Sequence, residues 1–366
     1  MTATDDRPAA AAVSLEDVRA TARTALDPGV WDFVDGGSGT ESTLAANRAA
    51  FAELALVPRV LTGVTAADTT VQLAGTTAAM PVAIAPMAYQ RLLHDEGELA
   101  AARAARTSGV PYIVSTLSSH RLEDIAAIGA DTWFQLYCLR DQAKNDELVD
   151  RAETVGCRAL MVTVDVPLMA RRQRDIRNSF ALPEHIRAVN LDSGPGGQVQ
   201  RRVDGASALA VHTAAAFAPG LSWTDLERLR RRTSLPLVVK GVLDPRDARM
   251  AADLGVDSIV VSSHGGRQLD GVQPSLRALP GVVAASGECE VLLDSGVRNG
   301  TDVLKALALG ARGVLLGRPV LWGLAAGGET GVAEVLGLLR TELAEAMTLA
   351  GCGDPAAATR LRTERL

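Results

Sequence analysis

Aromatic side chains make up only 3% of this chain: four Trp, three Tyr and five Phe among 366 residues. With so few large rings, the interior has to be filled mostly by Ala, Val and Leu. Cysteine is scarce too. Cys138, Cys157, Cys289 and Cys352 form no C-x-x-C pair and no metal-ligand spacing. That argues against a disulfide scaffold and a metal site. It fits buried thiols in a reducing compartment, so a cytoplasmic protein is expected. No run reaches the roughly eighteen apolar residues of a membrane-spanning helix, and no membrane partner is expected. A basic surplus is also missing: 37 Lys and Arg face 43 Asp and Glu. The net charge of -6 gives no hint of nucleic-acid binding. Met1 to Val13 holds no apolar core of signal-peptide length and reads as a disordered tail.

What the chain does have is rhythm. From about residue 81, short apolar runs alternate with amphipathic stretches of helical length. The runs are Val82–Ala85, Tyr112–Val114, Thr132–Leu136, Ala159–Val164, Leu237–Val239, Ser258–Val261, Glu290–Leu293 and Gly313–Leu316. Helices are expected near Glu98–Thr107, Leu122–Ile128, Asp141–Val155, Trp223–Arg231, Pro245–Leu254, Gln273–Ala285, Gly300–Leu309 and Glu334–Leu349. Strands alternating with helices imply a parallel sheet, and eight such units imply a closed (β/α)8 barrel. A doubly wound sheet is the alternative, but no G-x-G-x-x-G follows any run. Before the barrel, Ser14 opens a capping box with Asp17 for a helix to about Leu26. Asp27-Pro28-Gly29 breaks it, and a second helix covers Val30 to Asp35. Residues 14–366 read as one domain. One stretch, about 166–221, lacks a clear element and reads as a lid-like loop.

Chemistry in such barrels sits where the strands end. Run one exits into Pro86, Met87 and Ala88, and run two into Ser115. Run three passes Gln135 into Tyr137. Run four passes Thr163 into Asp165, with Arg172 beyond. Run five ends at Lys240. Run six ends in Ser262-Ser263-His264-Gly265-Gly266-Arg267. A histidine that moves protons near neutral pH stands there three residues from an arginine that grips carboxylates. Run seven ends at Asp294, Ser295, Gly296 and Arg298, and run eight at Gly317 and Arg318. Glycines beside arginines, each followed by a helix, suggest a phosphate site. Lys240 leaves a buried strand and needs a partner. A Schiff-base lysine and a cation beside an electron-rich ring both fit.

With these motifs the chain resembles the FMN-dependent α-hydroxy-acid oxidases and dehydrogenases, which include glycolate oxidase, lactate oxidase and mandelate dehydrogenase. The resemblance runs from about Ser14 to Gly353. Its motifs are Ala85-Pro86-Met87-Ala88, Phe134-Gln135-Leu136-Tyr137, Thr163-Val164-Asp165-Val166-Pro167, Lys240-Gly241-Val242, Ser262 to Asp270, Asp294 to Arg298, and Gly317-Arg318-Pro319. It implies a bound FMN and a small-molecule 2-hydroxy acid. It also implies that His264 takes a proton and Asp165 steadies the imidazolium. Arg172 and Arg267 would hold the carboxylate, and Tyr137 the substrate oxygen. Lys240 would steady the reduced ring. Ala88, Ser115, Gln135 and Thr163 would contact the isoalloxazine. Asp294, Gly296, Arg298, Gly317 and Arg318 would hold the ribityl chain and phosphate. Pro86, Met87, Ser262 and Ser295 belong to the same expected cofactor set.

Three departures set the specificity expected. Phe33 stands where the family has a tyrosine that helps hold the carboxylate. Ser263 replaces an asparagine, and Leu117 stands where glycolate oxidases carry tryptophan. A lost hydroxyl and a smaller wall favour a larger, apolar substrate. An aryl acid is therefore expected, mandelate or 4-hydroxymandelate, as in the 4-hydroxymandelate oxidase branch of the family. Glycolate or lactate is the alternative. The Gly-rich, charged stretch Asp192 to Asp204 replaces the apolar insertion of membrane-bound members, which favours O2 over a quinone as acceptor. An FMN-binding isomerase would not need the His264–Arg267 pair. The resemblance further implies a homo-oligomer, a tetramer or octamer.

Overall fold

Strand side chains alternate between two faces with a period of two, and this chain uses the alternation to separate a packed interior from a polar rim. In the computed structural model, which describes residues 12–191 and 216–366, three short strands come first: β1 (Leu54–Val57), β2 (Val71–Leu73) and β3 (Thr76–Ala78). Eight parallel strands then close into a barrel. They are β4 (Val82–Ile84), β5 (Tyr112–Ser115), β6 (Thr132–Leu136), β7 (Leu160–Thr163), β8 (Leu237–Val242), β9 (Ser258–Val261), β10 (Glu290–Leu293) and β11 (Gly313–Leu316). A last strand, β12 (Arg362–Arg365), pairs antiparallel with β1.

Ala83, Ile113, Trp133, Met161, Val238, Val260, Leu292 and Leu315 form one apolar cluster with Val71, Leu73 and Ala78 of the β2–β3 hairpin. The hairpin is thus the floor of the barrel. Two residues further along the same strands come Ala85, Ser115, Gln135, Thr163, Lys240, Ser262, Asp294 and Gly317. The two-residue period therefore brings the candidate polar residues to the opposite end, above the packed layers. Burying the apolar faces stabilises each strand by about 1.5–3 kcal/mol per large side chain.

All eight expected strands and the helices between them are present. The second helix begins at Pro28, not Val30: α2 (Pro28–Asp35) follows α1 (Leu15–Ala25), and the Asp27 side chain accepts from the Gly29 N–H. Asp-Pro-Gly therefore starts a helix as well as ending one, because proline suits the first turn. The helix expected at Glu334–Leu349 is longer, Arg318–Leu349, and kinks at Gly327 and Gly328; a short helix, Pro355–Ala358, follows it. The expected element-free gap contains a helix, Gln173–Arg177, and a 3-10 turn, Val189–Leu191. Its remainder at 192–215, like the expected tail at 1–11, lies outside the described residues. The helix α3 (Ser42–Ala52) was not anticipated. No helix among the described residues is long and apolar enough to cross a membrane.

Candidate active site

The segment after β9 carries the expected base, His264. His264 adopts φ +55 and Gly265 and Gly266 adopt φ +65 and +71. A Cβ at Gly265 would lie 2.8 Å from Arg318 Nη1, so only glycine lets that guanidinium pass. The left-handed histidine is held by its N–H donating to Ser262 Oγ at 2.9 Å, and Lys240 Nζ donates to the same hydroxyl at 3.0 Å. Such strain persists only where surroundings over-determine it. His264 Nδ1 pairs with Asp165 Oδ1 at 2.9 Å. Asp165 Oδ2 is buried without a partner. Burial opposes the charge of this carboxylate, yet His264 and Lys240 outweigh it and hold Asp165 below the ordinary aspartate range. The sequence did not mark Gly241 as a site residue, but it makes this pairing possible. It sits at a bulge in β8 with φ +116, and a Cβ there would come within 2.6 Å of Asp165 Cγ.

Arg172 and Arg267, the expected carboxylate-gripping residues, line the same cavity as His264. Arg267 Nη1 donates to the carbonyls of Phe33 at 2.7 Å and Gly36 at 2.9 Å, fixing it to the end of α2. The Phe33 ring lies 5.3 Å from Arg267 Cζ and 5.9 Å from Arg172 Cζ, and stacks on Phe180 at 4.6 Å. Its face therefore meets the two cations, but it has no hydroxyl to offer a substrate carboxylate. Arg172 Nε is buried with no partner, and its nearest carboxylate, Asp175, is 3.9 Å away. Burial, together with Arg172 and Arg318 nearby, lowers the pKa of Arg267 well below its usual value. A pair of desolvated, under-compensated guanidiniums is a receptor for an anion. Tyr137 stacks on Phe217 at 4.7 Å, and burial, then Asp165, pushes its phenol up to about 12. Leu117 lines the cavity as expected. Phe217 and Met169 were missed; they line it from segments where the sequence shows no strand pattern.

At the other end, Lys240 has the partner that its burial demands. Its Nζ is 2.8 Å from Asp294 Oδ2. Burial disfavours its charge, but Asp294 and Asp165 prevail and raise its pKa. A free-amine nucleophile is therefore disfavoured, which removes the Schiff-base alternative. Asp294 Oδ1 accepts from Ser295 Oγ at 2.7 Å, so both its oxygens are engaged within the protein. Arg298 lies 4.8 Å over Trp322, and burial plus Arg318 and Arg48 pushes it down to about 9. Arg318 donates to the carbonyls of Val34, Gly265 and Gly36 at 3.1, 2.9 and 2.7 Å, and burial pushes it down to about 10. These cations lack enough negative charge around them, as a site built for a phosphate would. Gly296 and Gly317 flank them on the wall.

The whole cavity measures about 1170 Å³ including its open mouth, with Pro86, Met87, Ala88 and Ser115 on one side. Gln135, Thr163 and Ser262 sit behind this lining instead of in it. Gln135 Nε2 donates to Thr163 Oγ1 at 3.0 Å and Ser115 Oγ donates to Gln135 Oε1 at 3.2 Å. Ser263 is likewise explained by a neighbour: Asn47 Nδ2, from α3, donates to Ser263 Oγ at 2.8 Å. Asp270 closes the segment. It accepts from the N–H groups of Thr40 and Thr43 at 2.9 and 2.8 Å and from the hydroxyls of Thr40 and Ser42 at 2.9 Å each.

An imidazole–carboxylate pair beside two guanidiniums, with a buried lysine and a cationic pocket end, defines a barrel oxidoreductase for a small acid and a phosphate-bearing cofactor. The chain belongs to the FMN-dependent dehydrogenase family, whose pattern matches residues 22–364. It is 54% identical to a 4-hydroxymandelate oxidase of Amycolatopsis orientalis, over 96% of this chain and 98% of that protein. It is 46% identical to an L-lactate oxidase of Nostoc sp., over 93% of this chain and 94% of that protein. The crystal structure of mandelate oxidase with (S)-4-hydroxymandelic acid superposes with a TM-score of 0.94 at 54% identity, covering 97% and 99% of the two chains. The protein is thus an FMN-dependent oxidase of 2-hydroxy acids.

Proposed function

We propose that the enzyme oxidises an aryl (S)-2-hydroxy acid, mandelate or 4-hydroxymandelate, to the 2-oxo acid, with O2 reduced to H2O2. When bound, FMN supplies the two-electron acceptor that no side chain can provide. Arg298 and Arg318 would hold its phosphate and Lys240 would steady negative charge at its ring. Arg172 and Arg267 orient the substrate carboxylate. The imidazole of His264 accepts the proton, and Asp165 stabilises the imidazolium that results. Tyr137 donates to the substrate oxygen. One observation carries the aryl assignment: Leu117, Met169, Phe33 and Phe217 line the cavity beside the two arginines. A ring is accommodated there without leaving a polar group unpaired. The names of the relatives at 54% identity and of the bound ligand in the superposed crystal structure support the same substrate. Four free thiols support a cytoplasmic location. A homo-oligomer completes the proposal.

The test compares kcat/KM for glycolate, lactate, mandelate and 4-hydroxymandelate on one preparation, with H2O2 measured under air. The aryl acids are expected to lead. A lead for lactate or glycolate of about tenfold, near 1.4 kcal/mol in transition-state binding, overturns the aryl assignment. Turnover without peroxide overturns O2 as acceptor.

A further inference from the structure

Gln268 is buried, and no step above uses it. Its Nε2 donates to the carbonyl of Asp165 at 3.0 Å and to that of Leu168 at 2.9 Å. Its Oε1 accepts from the Ala170 N–H at 3.3 Å. One side-chain amide thus satisfies three backbone groups of a single loop, the loop that leads from Asp165 towards Arg172. Only a group with two donors and an acceptor can do this; a carboxylate or an alkyl chain of the same size cannot. On its other side, Gln268 is anchored through its own carbonyl, which accepts from Ser38 Oγ.

We propose that Gln268 is a positioning residue for the proton-handling pair. Asp165 reaches His264 through one oxygen while its other oxygen has no partner. Its carboxylate is therefore aimed chiefly by its backbone, and Gln268 fixes that backbone. Gln268 lies four residues after His264 in the same segment. The carboxylate is thereby held in register with the imidazole, 99 residues away, by the imidazole's own stretch of chain. A misplacement of about 1 Å at a reacting centre can lower the rate by on the order of a hundredfold. The inference rests on Asp165 and His264 acting as the proton-handling pair.

Anaerobic reduction of the flavin by the best substrate of the panel tests it, on holoenzymes of the wild type, Q268L, Q268E, D165N and the Q268L/D165N double variant. Q268E keeps the size and the acceptor but loses the donor, and decides the matter should Q268L fail to fold. Both single Gln268 variants are expected to keep FMN at wild-type stoichiometry and to slow reduction by about tenfold or more. In the D165N background the same change should cost less than about twofold, since a residue acting through Asp165 has nothing left to aim. Equal losses in both backgrounds would mean a general packing role and overturn the proposal, as would a wild-type rate in Q268L or Q268E while D165N is slow. A D165N enzyme as fast as the wild type would remove the Asp165–His264 assignment itself.

Discussion

One oxygen of Asp165 meets the imidazole of His264, and the residues around the pair keep its charge in place. At this scale the phenol of Tyr137 gives a clear expectation. With its pKa pushed up to about 12 it stays a donor throughout the working range. The kcat/KM profile should therefore show no limb from this group below about pH 11. Y137F should lower the whole profile without changing its shape; disappearance of a basic limb below that pH would contradict the assignment. Phe33 gives a second expectation. F33Y restores a hydroxyl next to Arg172 and Arg267, where a hydrogen bond to a charged group is worth about 1.5–3 kcal/mol. That bond would go to the carboxylate both acids share, so kcat/KM for lactate and for mandelate should each rise by about tenfold; unchanged values would mean that the hydroxyl makes no such contact. Much at this scale was legible, because His264, Arg267, Lys240 and Asp165 all stand at strand ends. The Lys240–Asp294 pair was not. It joins side chains 54 positions apart on strands that are not neighbours in the sheet, and each residue already had another expected role.

Among the elements, β8 has the most exacting geometry. Its bulge turns Gly241 to φ +116, and the space beside that Cα is filled by Asp165. G241A would add a Cβ both in a conformation that L-residues rarely adopt and 2.6 Å from Asp165 Cγ. Activity is expected to fall by about a hundredfold, with the far-UV spectrum of a barrel retained. Near-wild-type kcat would show that Asp165 has room to move. The barrel strands and their helices could be read from the chain because short apolar runs alternate with stretches of helical length. β1, β12 and the β2–β3 hairpin could not. They fall outside the strand–helix alternation of the barrel, and β1 finds its partner at the far end of the chain. The role of Gln268 was equally hidden, since side-chain bonds to loop carbonyls leave no spacing to detect.

For the molecule as a whole, acid should act first where buried or bonded carboxylates hold separate segments together. Asp270 shows this most directly. Burial disfavours its charge, but the Thr43 N–H and the hydroxyls of Ser42 and Thr40 hold its pKa far below the ordinary aspartate value. Its folded pKa lies below the unfolded one, so its contribution is complete above about pH 4 and fades as pH falls below that. D270N should lower Tm at pH 7, and the gap from the wild type should narrow towards pH 3. A gap that does not change with pH would mean that the charge contributes nothing.

The contacts of Asp270 with Thr40, Ser42 and Thr43 join positions 227 to 230 apart, and α1 packs on the helix that ends at Leu349. Segments so distant meet late, because the chain between them must be ordered first. The helix α1 is made long before the helix Arg318–Leu349 on which it packs. Because the cavity draws on residues from Phe33 to Arg318, a nascent chain completes its reactive centre only after the segment that carries Arg318 has been made.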